Sequence, residues 1–541
     1  MSTAVGEGNS SGGRTLFGDV IDARAAEQPD KTFMWIDEGS WTYRDLKDRV
    51  ERAALALRRL GLGRGEVVAS FGRTSFDALS LLFAASRVGG VYMPVNVQYK
   101  GDYLLHQLRD AGATVVLADR ELLDRIEPLV GELPALRTVL VADGDVETDR
   151  KIGHVRLLSA AELRREGTAE ELAALLTTAP TPWNQPACLF YTSGTTGVSK
   201  GVLLTQHNLI TAAGLFNRNY GITADDIQYS AVPLFHISGA YTSVITVLVG
   251  GRTGVLDTRF SVSTCWDRIR ELGATVFFGV GAMVLMLWGL PPSPEDRTIP
   301  IRLMLTAPIP VDLWRPIEER YGCEILTGYG QSEVVMLTQM IAGEDNIPGS
   351  CGRVLDLYEL RIVDDEDEDV PVGEPGEIVM RPKQNHVMFE GYVGRPEATL
   401  AQMRNLWFHT GDLGKLDESG TLYFIDRKKD AIRRRGENIS SFEVEKSVLA
   451  HAQVAECAAF AVPSSLGEDE VMIAVVAQAG GTIDVAALAD HCVEALPRFA
   501  RPRYIEVVPA LPKSVTGRVQ KHELRAIGVG PSTYDTAEPR S

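Results

Sequence analysis

The most informative stretch of the chain is YTSGTTGVSKG, residues Tyr191–Gly201, which follows the apolar run Ala187–Phe190 and precedes a helical pattern from about Gln206. The apolar run is typical of a strand. Glycines and hydroxyls that follow a strand let backbone N–H groups and side chains surround a polyphosphate, and Lys200 adds a positive charge. The stretch therefore predicts a phosphate-binding loop.

Two other loop types share part of this pattern. The stretch Tyr191–Gly201 is not a Walker A loop, because Lys200 is preceded by Ser199 rather than by glycine. Gly197–Gly201 matches the G-x-S-x-G of serine hydrolases, although the Thr/Gly run replaces the sharp strand-to-helix turn that would expose a nucleophile. A hydrolase built on Ser199 stays an alternative, and it would show activity without ATP. A flexible loop without function is a further alternative, but it has no need for Lys200.

Composition excludes several classes of protein. The 541 residues exceed the size of a single hydrophobic core, so at least two domains are expected. The net charge of −18 argues against a nucleic-acid binder, which needs a basic face. No apolar run reaches the roughly 20 residues of a membrane span. The six cysteines form no C-x-x-C pair, which is typical of reduced thiols, and a cytoplasmic location is expected.

The N-terminal part of the chain alternates between strand and helix patterns. Residues 42–60 predict a helix capped by Thr42, and residues 67–71, 76–87 and 91–95 predict a strand, a helix and a strand. This rhythm is typical of parallel sheets joined by crossover helices. The predicted fold class is therefore α/β, with a large N-terminal domain of parallel sheets.

The pattern changes twice towards the C-terminus. From about Gly352 short strands and turns predict a small β-rich subdomain, in which the acidic run Asp364–Asp369 is expected to be a solvated hairpin turn rather than a metal site. The end of the chain predicts a small mobile α+β domain. The expected organisation is a flexible leader (1–14), a large domain (15–426), a hinge (427–430), a small lid domain (431–527) and a flexible tail (528–541).

Four further segments combine polar groups that could bind a nucleotide. Tyr329–Glu333 offers an aromatic ring, a hydroxyl and a carboxylate that could hold Mg²⁺. Trp407–Asp412 places a carboxylate on a turn, Gly436–Ser440 follows three arginines, and Pro512–Lys521 is basic. Each segment alone is more typical of a turn or a solvated loop than of a binding site.

Together, and in this order, these segments resemble the AMP-forming adenylating superfamily of acyl-CoA synthetases, carrier-protein adenylation domains and luciferases. The resemblance runs from about Trp41 to Leu524 and includes Pro233–His236, Gly376–Ile378, Gly391–Tyr392, Pro396–Thr399 and Thr410–Asp412. Within the superfamily, Gly279–Met283 and Arg434–Glu445 are most similar to crotonobetaine/carnitine and small-acid CoA ligases.

The resemblance implies a two-step reaction. A carboxylate attacks the α-phosphate of ATP, which releases pyrophosphate and forms an acyl-adenylate, and a thiol, usually that of CoA, then displaces AMP after the small domain rotates. Cations and Mg²⁺ offset the charge in the first step, and the small domain excludes water. A carrier-protein thiol as acceptor, nitrite activation for diazotisation of an aromatic amine, and a non-catalytic nucleotide binder stay open. The oligomeric state is also open.

The resemblance further implies roles for individual residues. Tyr329 would stack on adenine, while Asp412 and Arg427 would hold the ribose. Ser332 would serve the phosphates and Glu333 would hold Mg²⁺. The loop residues expected at the β- and γ-phosphates are Thr192, Ser193, Gly194, Thr195, Thr196, Gly197 and Lys200. Thr196 would also be the second metal ligand. The residues expected to act in catalysis are Lys200, His236, Glu333, Arg518 and Lys521.

The same comparison implies an acyl pocket and a hinge. Lys429 would be the hinge residue, and Gly436 would let the backbone approach the pantetheine arm of the thiol. The residues expected to line the acyl pocket are His236, Gly281, Leu305, Thr306, Ala307 and Gly330.

This sequence departs from the superfamily pattern at four places. Ser199 and Ser332 replace the usual proline and threonine, which we expect to be tolerated. Leu305 and Thr306 stand where two glycines edge the acyl pocket, so a short or flat acid is expected. Arg518 occupies the position of the adenylation lysine, three residues before Lys521. Because the forked guanidinium of an arginine need not substitute for the point charge of a lysine, three alternatives stay open: Arg518 serves the first step, Lys521 reaches in, or the first step is unusual.

Overall fold

The computed structural model describes most of the chain. The described residues are 15–37, 39–144, 146, 150–192, 199–428, 432–434, 437–439, 441–463, 469–496, 498, 500–513 and 519–536. The residues of the predicted site that lie outside these ranges are Ser193, Gly194, Thr195, Thr196, Gly197, Lys429, Gly436 and Arg518.

Strands and helices alternate along the described chain. The strands are β1 (Thr32–Ile36), β2 (Gly39–Thr42), β3 (Val67–Phe71), β4 (Val91–Pro94), β5 (Ala113–Ala118), β6 (Thr138–Val141), β7 (Lys151–Ile152), β8 (Val155–Ser159), β9 (Pro186–Tyr191), β10 (Gly201–Thr205), β11 (Ile227–Ser230), β12 (Thr253–Leu256), β13 (Val276–Phe278), β14 (Leu303–Leu305), β15 (Glu324–Leu326), β16 (Gly328–Tyr329), β17 (Thr338–Gln339), β18 (Arg353–Val354), β19 (Tyr358–Val363), β20 (Gly376–Pro382), β21 (Met403–Arg404), β22 (Trp407–Leu416), β23 (Leu422–Arg427), β24 (Ile432–Arg434), β25 (Glu437–Ile439), β26 (Val454–Pro463), β27 (Asp469–Ala477), β28 (Tyr504–Val507) and β29 (Tyr534–Asp535).

The helices connect these strands and cover the sheets. They are α1 (Phe17–Glu27), α2 (Tyr43–Arg59), α3 (Phe76–Arg87), α4 (Asp102–Asp110), α5 (Leu123–Ile126), α6 (Ala169–Leu176), α7 (Gln206–Asn219), α8 (Ile237–Ala240), α9 (Thr246–Gly250), α10 (Cys265–Leu272), α11 (Gly281–Trp288), α12 (Val311–Tyr321), α13 (Pro396–Gln402), α14 (Ser441–Leu449), α15 (Val485–Ala495) and α16 (Lys521–Ile527). None of the helices within the described ranges is long and apolar enough to cross a membrane.

Two large sheets form the core of the N-terminal part. One has the strand order β10-β9-β4-β3-β5-β6-β8-β7 and the other β15-β14-β13-β11-β12-β1-β2. All neighbours are parallel except three pairs at the edges, β9–β10, β7–β8 and β1–β2. The predicted fold class, parallel sheets with crossover helices, is confirmed.

Local sequence signals explain why the helices begin where they do. Helix α2 starts after Thr42, whose hydroxyl accepts a hydrogen bond from the N–H of Asp45, while the Asp45 carboxylate accepts from the N–H of Thr42. This reciprocal pair satisfies two N–H groups that the helix itself leaves free. The helix ends before Gly61, whose φ of 74° is a conformation that glycine adopts readily. The predicted cap and apolar face of this helix are confirmed.

The C-terminal part is built from antiparallel sheets and a separate small domain. Strands β19 to β23 form a five-stranded sheet, and β26, β27, β28 and β29 form a four-stranded sheet. Helices α14 and α15 cover the four-stranded sheet around a buried core that includes Val444, Leu488 and Ile505. The expected small α+β domain is therefore present.

Candidate active site

The predicted pocket residues meet at one edge of a parallel sheet. Strands β11, β13, β14 and β15 are adjacent and parallel, so their carboxyl ends lie side by side. Four segments follow these ends, namely 233–236, 279–281, 306–308 and 329–333, and each carries residues predicted for the site. In open α/β sheets ligands bind outside the carboxyl ends of the strands. The topology thus brings together His236, Gly281, Leu305, Thr306, Ala307 and Gly330.

Close backbone contacts hold this edge in place. The N–H of Gly281 donates to the carbonyl oxygen of Ala307 at 3.0 Å, and a Cβ on Gly281 would lie 1.8 Å from the oxygen of Pro308. A Cβ on Gly330 would lie 2.2 Å from the oxygen of Val335. A residue with a Cβ therefore fits at neither position without a shift of the backbone.

Leu305 and Thr306 fill the space beneath this edge. Both side chains are buried, and the Thr306 hydroxyl has no hydrogen-bond partner among the described residues. Ala307, the next residue in the chain, is exposed, and so is Gly330. His236 precedes helix α8, and its ring lies 4.6 Å from the ring of Phe235.

A buried carboxylate forms the centre of the second half of the site. Asp412, on β22, accepts hydrogen bonds at Oδ2 from the Tyr329 hydroxyl and from the Gln331 amide, both at 2.6 Å. Its Oδ1 lies 2.9 Å from Nε of Arg427. Three of these four residues belong to the site predicted from the sequence. Gln331 was missed as a site residue, although it lies inside the quoted Tyr329–Glu333 segment.

An exposed aromatic ring lies beside this carboxylate. Phe424 is 41% exposed, and its ring is stacked on that of Tyr329 with a centroid distance of 6.0 Å. Tyr329 itself is largely buried. Phe424 therefore offers a flat apolar surface next to the Asp412 cluster, and the sequence pattern did not single it out.

Glu333 lies in a second buried cluster. Its carboxylate accepts a hydrogen bond from the Tyr392 hydroxyl at 2.7 Å, and Nζ of Lys200 lies 4.6 Å from the centre of the Tyr392 ring. Burial raises the pKa of Glu333, against the opposing effects of the Tyr392 hydrogen bond and of the charges of Arg427 and Lys200. Tyr392 was missed as a site residue, and its only signal was the Gly391–Tyr392 motif. Ser332 is half-buried next to Glu333.

The phosphate-loop segment joins two antiparallel strands. The N–H of Thr192, after β9, donates to the carbonyl of Lys200 at 2.9 Å, and the N–H of Lys200 donates to the Thr192 hydroxyl at 3.2 Å. Strand β10 follows directly, and helix α7 begins only at Gln206. The strand-to-helix turn of a serine hydrolase is therefore not the connection at Ser199.

The first half of the predicted hinge segment 427–430 is anchored to the β-rich sheet. Nζ of Lys428 lies 2.9 Å from Glu377 and 3.0 Å from Asp365. Asp367 pairs with Arg404 at 3.1 Å. Three carboxylates of the acidic run 364–369 are ion-paired, since Asp369 also lies 2.6 Å from Arg361. The run is mostly exposed and connects the antiparallel strands β19 and β20, as expected of a solvated hairpin turn. Across the described ranges, no group of three or more His, Cys, Asp or Glu side chains could hold a metal ion.

Lys521 is occupied within the small domain. Its Nζ lies 2.8 Å from Oε1 of Glu445 and donates to the Ser441 hydroxyl, and its side chain is 14% exposed. The N–H and hydroxyl of Ser441 donate to Asp426, the residue before Arg427. Lys521 therefore helps to tie the small domain to β23.

Comparison with known proteins agrees with this geometry. Family models for the AMP-binding enzyme and for its C-terminal domain match residues 21–393 and 443–518. The chain belongs to the AMP-binding enzyme family. A crotonobetaine/carnitine–CoA ligase from Salmonella typhi is 27% identical over 493 residues, which cover 90% of this chain and 93% of the relative.

Solved structures of this family are similar over nearly the whole length. The anthranilate CoA ligase AuaEII in complex with anthranoyl-AMP gives a TM-score of 0.83 at 25% identity and covers 95% of this chain and 97% of its own. ATP-bound MatB from Rhodopseudomonas palustris gives 0.80 at 28% identity, with coverage of 95% and 99%. The prediction of an AMP-forming enzyme of the acid–CoA ligase type is confirmed, whereas the residue roles and domain limits stay predictions.

Proposed function

We propose that the chain uses MgATP to convert a small carboxylic acid into an acyl-adenylate, with release of pyrophosphate, and then transfers the acyl group to CoA. The observation that carries the proposal is the placement of the segment Tyr329–Glu333. Its first residues hold Asp412, while Glu333 at its end reaches Tyr392 near Lys200. One short segment thus links a hydroxyl-binding carboxylate to a cation-binding one.

The Asp412 cluster suits the ribose and base of a nucleotide. A carboxylate oriented by fixed donors can accept both ribose hydroxyls, and charge-assisted hydrogen bonds of this kind are strong. Arg427 flanks the carboxylate, and the stacked pair of Tyr329 and Phe424 offers an aromatic surface for adenine. We therefore assign the adenosine end of ATP to this cluster.

Glu333 suits Mg²⁺ bound together with phosphates. Magnesium in such sites takes one or two carboxylates and completes its coordination with substrate phosphates and water, so a single buried carboxylate fits. When bound, the ion would offset negative charge on the phosphates. Lys200 and the loop residues Thr192–Gly197 would hold the β- and γ-phosphates, with Thr196 as the second ligand of the ion.

The sheet edge suits a short or flat acid. Leu305 and Thr306 carry buried side chains at the two positions before Ala307 where the family usually has glycines. These side chains take up space that glycines would leave open. Gly281 lets its segment approach the backbone of Pro308 closely. His236 would line the same pocket, so the carboxylate of the acid would lie between this edge and the α-phosphate.

The second step would need the small domain to turn about Lys429, with Gly436 beside the pantetheine arm of CoA. The pairing of Lys521 with Glu445 and Ser441 supports Arg518 as the cation of the first step. Excluding water from the adenylate would be the second task of this domain.

The test is pyrophosphate release from MgATP with a panel of carboxylic acids, with and without CoA. We expect release that depends on one class of short or aromatic acid, and a thioester product when CoA is present. Release without thioester formation would direct the search to a carrier-protein thiol or another acceptor. ATP binding without pyrophosphate release for any acid or nitrite would contradict the proposal.

A further inference from the structure

Helix α4, which precedes the phosphate loop by more than 80 residues, contacts both stems of that loop. Nε2 of His106 lies 2.9 Å from the carbonyl oxygen of Ser199, on the stem after the loop. Because a carbonyl oxygen can only accept, Nε2 carries the hydrogen. Oδ2 of Asp110 accepts a hydrogen bond from the Tyr191 hydroxyl, on the stem before the loop, at 2.9 Å.

The two α4 residues act from one face of the helix. They are four residues apart, a spacing that places side chains next to each other on a helix. The ring of His106 meets the ring of Tyr191 edge to face, with centroids 6.0 Å apart. Each stem is therefore in contact with α4, and His106 touches both.

A third segment closes the arrangement. Oδ1 of Asp110, whose side chain is 18% exposed, lies 3.3 Å from Arg395. The N–H of Arg395 donates to the carbonyl of Tyr392, whose hydroxyl binds Glu333. Asp110 thus connects the loop stem to the segment that carries the partner of Glu333.

The contact with Ser199 bears directly on Lys200. The carbonyl of Ser199 belongs to the peptide that leads into Lys200, and the Lys200 backbone pairs with Thr192 across the base of the loop. Displacing this peptide would move the point from which the Lys200 side chain extends. A displacement of about 1 Å in a positioning group is enough to weaken binding or catalysis substantially.

We propose that His106 and Asp110 are positioning residues for the phosphates of ATP, because they hold the two stems of the phosphate loop at a fixed separation. The inference rests on the proposed function, in which this loop binds ATP. Both residues lie outside every motif that marked the site in the sequence. Their effect is exerted through Ser199, Tyr191 and Arg395 rather than on the substrate itself.

The experiment compares His106→Ala, His106→Gln and Asp110→Ala with the exposed control His154→Ala. Three quantities are measured for each: the equilibrium Kd for MgATP, the KM for ATP in pyrophosphate exchange, and the rate of thioester formation from supplied acyl-adenylate. The Gln variant matters because its side-chain amide can donate in place of Nε2–H, while it lacks the aromatic ring.

His106→Ala should raise the Kd and KM for ATP about two- to twelvefold, the range of one net hydrogen bond. Asp110→Ala should raise them about tenfold or more, because two partners lose a charged acceptor. His106→Gln should recover most of the affinity, and kcat and thioester formation should stay at the wild-type level. His154→Ala should match wild type in every measurement.

Two results would overturn the inference: an unchanged ATP affinity in both alanine variants, or an equal loss in both half-reactions with no recovery in His106→Gln. The second pattern would indicate a general structural role. Failure of the proposed function is recognised separately, as an absence of pyrophosphate exchange in the wild type with every acid. The Kd for MgATP then still decides whether α4 positions the loop.

Discussion

Tyr329 and Asp412 are 83 residues apart in the chain and are joined by a hydrogen bond of 2.6 Å from the phenol oxygen to Oδ2. Burial and the adjacent carboxylate raise the pKa of Tyr329 well above 10, so the phenol stays protonated and remains a donor. Tyr329 therefore orients the carboxylate that we assign to the ribose, in addition to presenting its ring beside Phe424.

Variants of these two residues should weaken ATP binding to different degrees. Tyr329→Phe keeps the ring but removes one of the donors to Asp412, so the Kd for ATP should rise about two- to twelvefold. Asp412→Ala removes the acceptor of the ribose hydroxyls and should raise the Kd about 10- to 100-fold. Calorimetric titration with ATP measures both values.

A matched control lies in the same sheet. The Tyr423 hydroxyl donates to Asp417 at 3.2 Å, away from the candidate site, so Tyr423→Phe should leave the Kd for ATP unchanged. Wild-type affinity in Asp412→Ala would remove the ribose assignment.

Replacing Glu333 by glutamine should raise the stability of the protein and lower its activity. Its pKa is raised above the usual 4.5 because its charged form is buried. Glu333→Gln keeps the shape and an oxygen that can accept from Tyr392, but it avoids burying a charge. The variant should therefore melt at a higher temperature than wild type at neutral pH, and it should lose Mg²⁺-dependent pyrophosphate exchange.

The sign of the pH dependence follows from proton linkage. A carboxyl with a raised folded-state pKa binds more protons when folded, so the stability of wild type falls as the pH rises above 4.5 towards that pKa. The difference in Tm between variant and wild type should therefore disappear below pH 4.5. Melting curves across this range test it, with the exposed Glu374→Gln as control. A variant less stable than wild type at neutral pH would contradict the account.

We expect the Thr306 side chain to limit the length of the acid that the enzyme accepts. Thr306→Gly removes a buried side chain at the edge of the pocket, so acids longer by one methylene should gain about tenfold or more in relative kcat/KM. Thr306→Val keeps the size and removes the hydroxyl, which has no hydrogen-bond partner within the described part of the chain, so the preferred chain length should not change. The measurement is pyrophosphate release with a series of acids of increasing length.

A control for the glycine substitution is Leu406→Gly. Leu406 is exposed and has a φ of 65°, which glycine adopts without strain. It should show the wild-type chain-length profile. An unchanged profile in Thr306→Gly as well would remove this residue from the acyl pocket.

Arg518 and Lys521 predict different kinetic losses. Arg518→Ala should slow pyrophosphate exchange about 10²–10³-fold and spare thioester formation from supplied acyl-adenylate, because it removes one preorganised cation of the first step. Lys521→Ala removes the cation paired with the buried Glu445 carboxylate, so it should lower Tm and affect both half-reactions alike. A selective loss of the first step in Lys521→Ala, with Arg518→Ala unaffected, would transfer the role to Lys521.

Helix and strand limits could be read from the sequence where local signals dominate. Helix α3 has the predicted limits 76–87, and α2 has the predicted Thr42 cap, because periodicity and capping act within a few residues. Strand β10 was not predicted. Its pairing with β9 is decided by the backbone hydrogen bonds between them rather than by the composition of residues 201–205.

The sequence by itself determined the family, the alternation of strands and helices, and the residue types that the chemistry needs, since these are carried by short ordered motifs. Only the tertiary structure decided which residues are hydrogen-bond partners of one another in the candidate site. Tyr392 meets Glu333 from 59 residues away, and His106 meets Ser199 from 93 residues away. Hydrogen bonds over such separations depend on how sheets and helices pack, and no local pattern in the chain records which side chains that packing brings within reach.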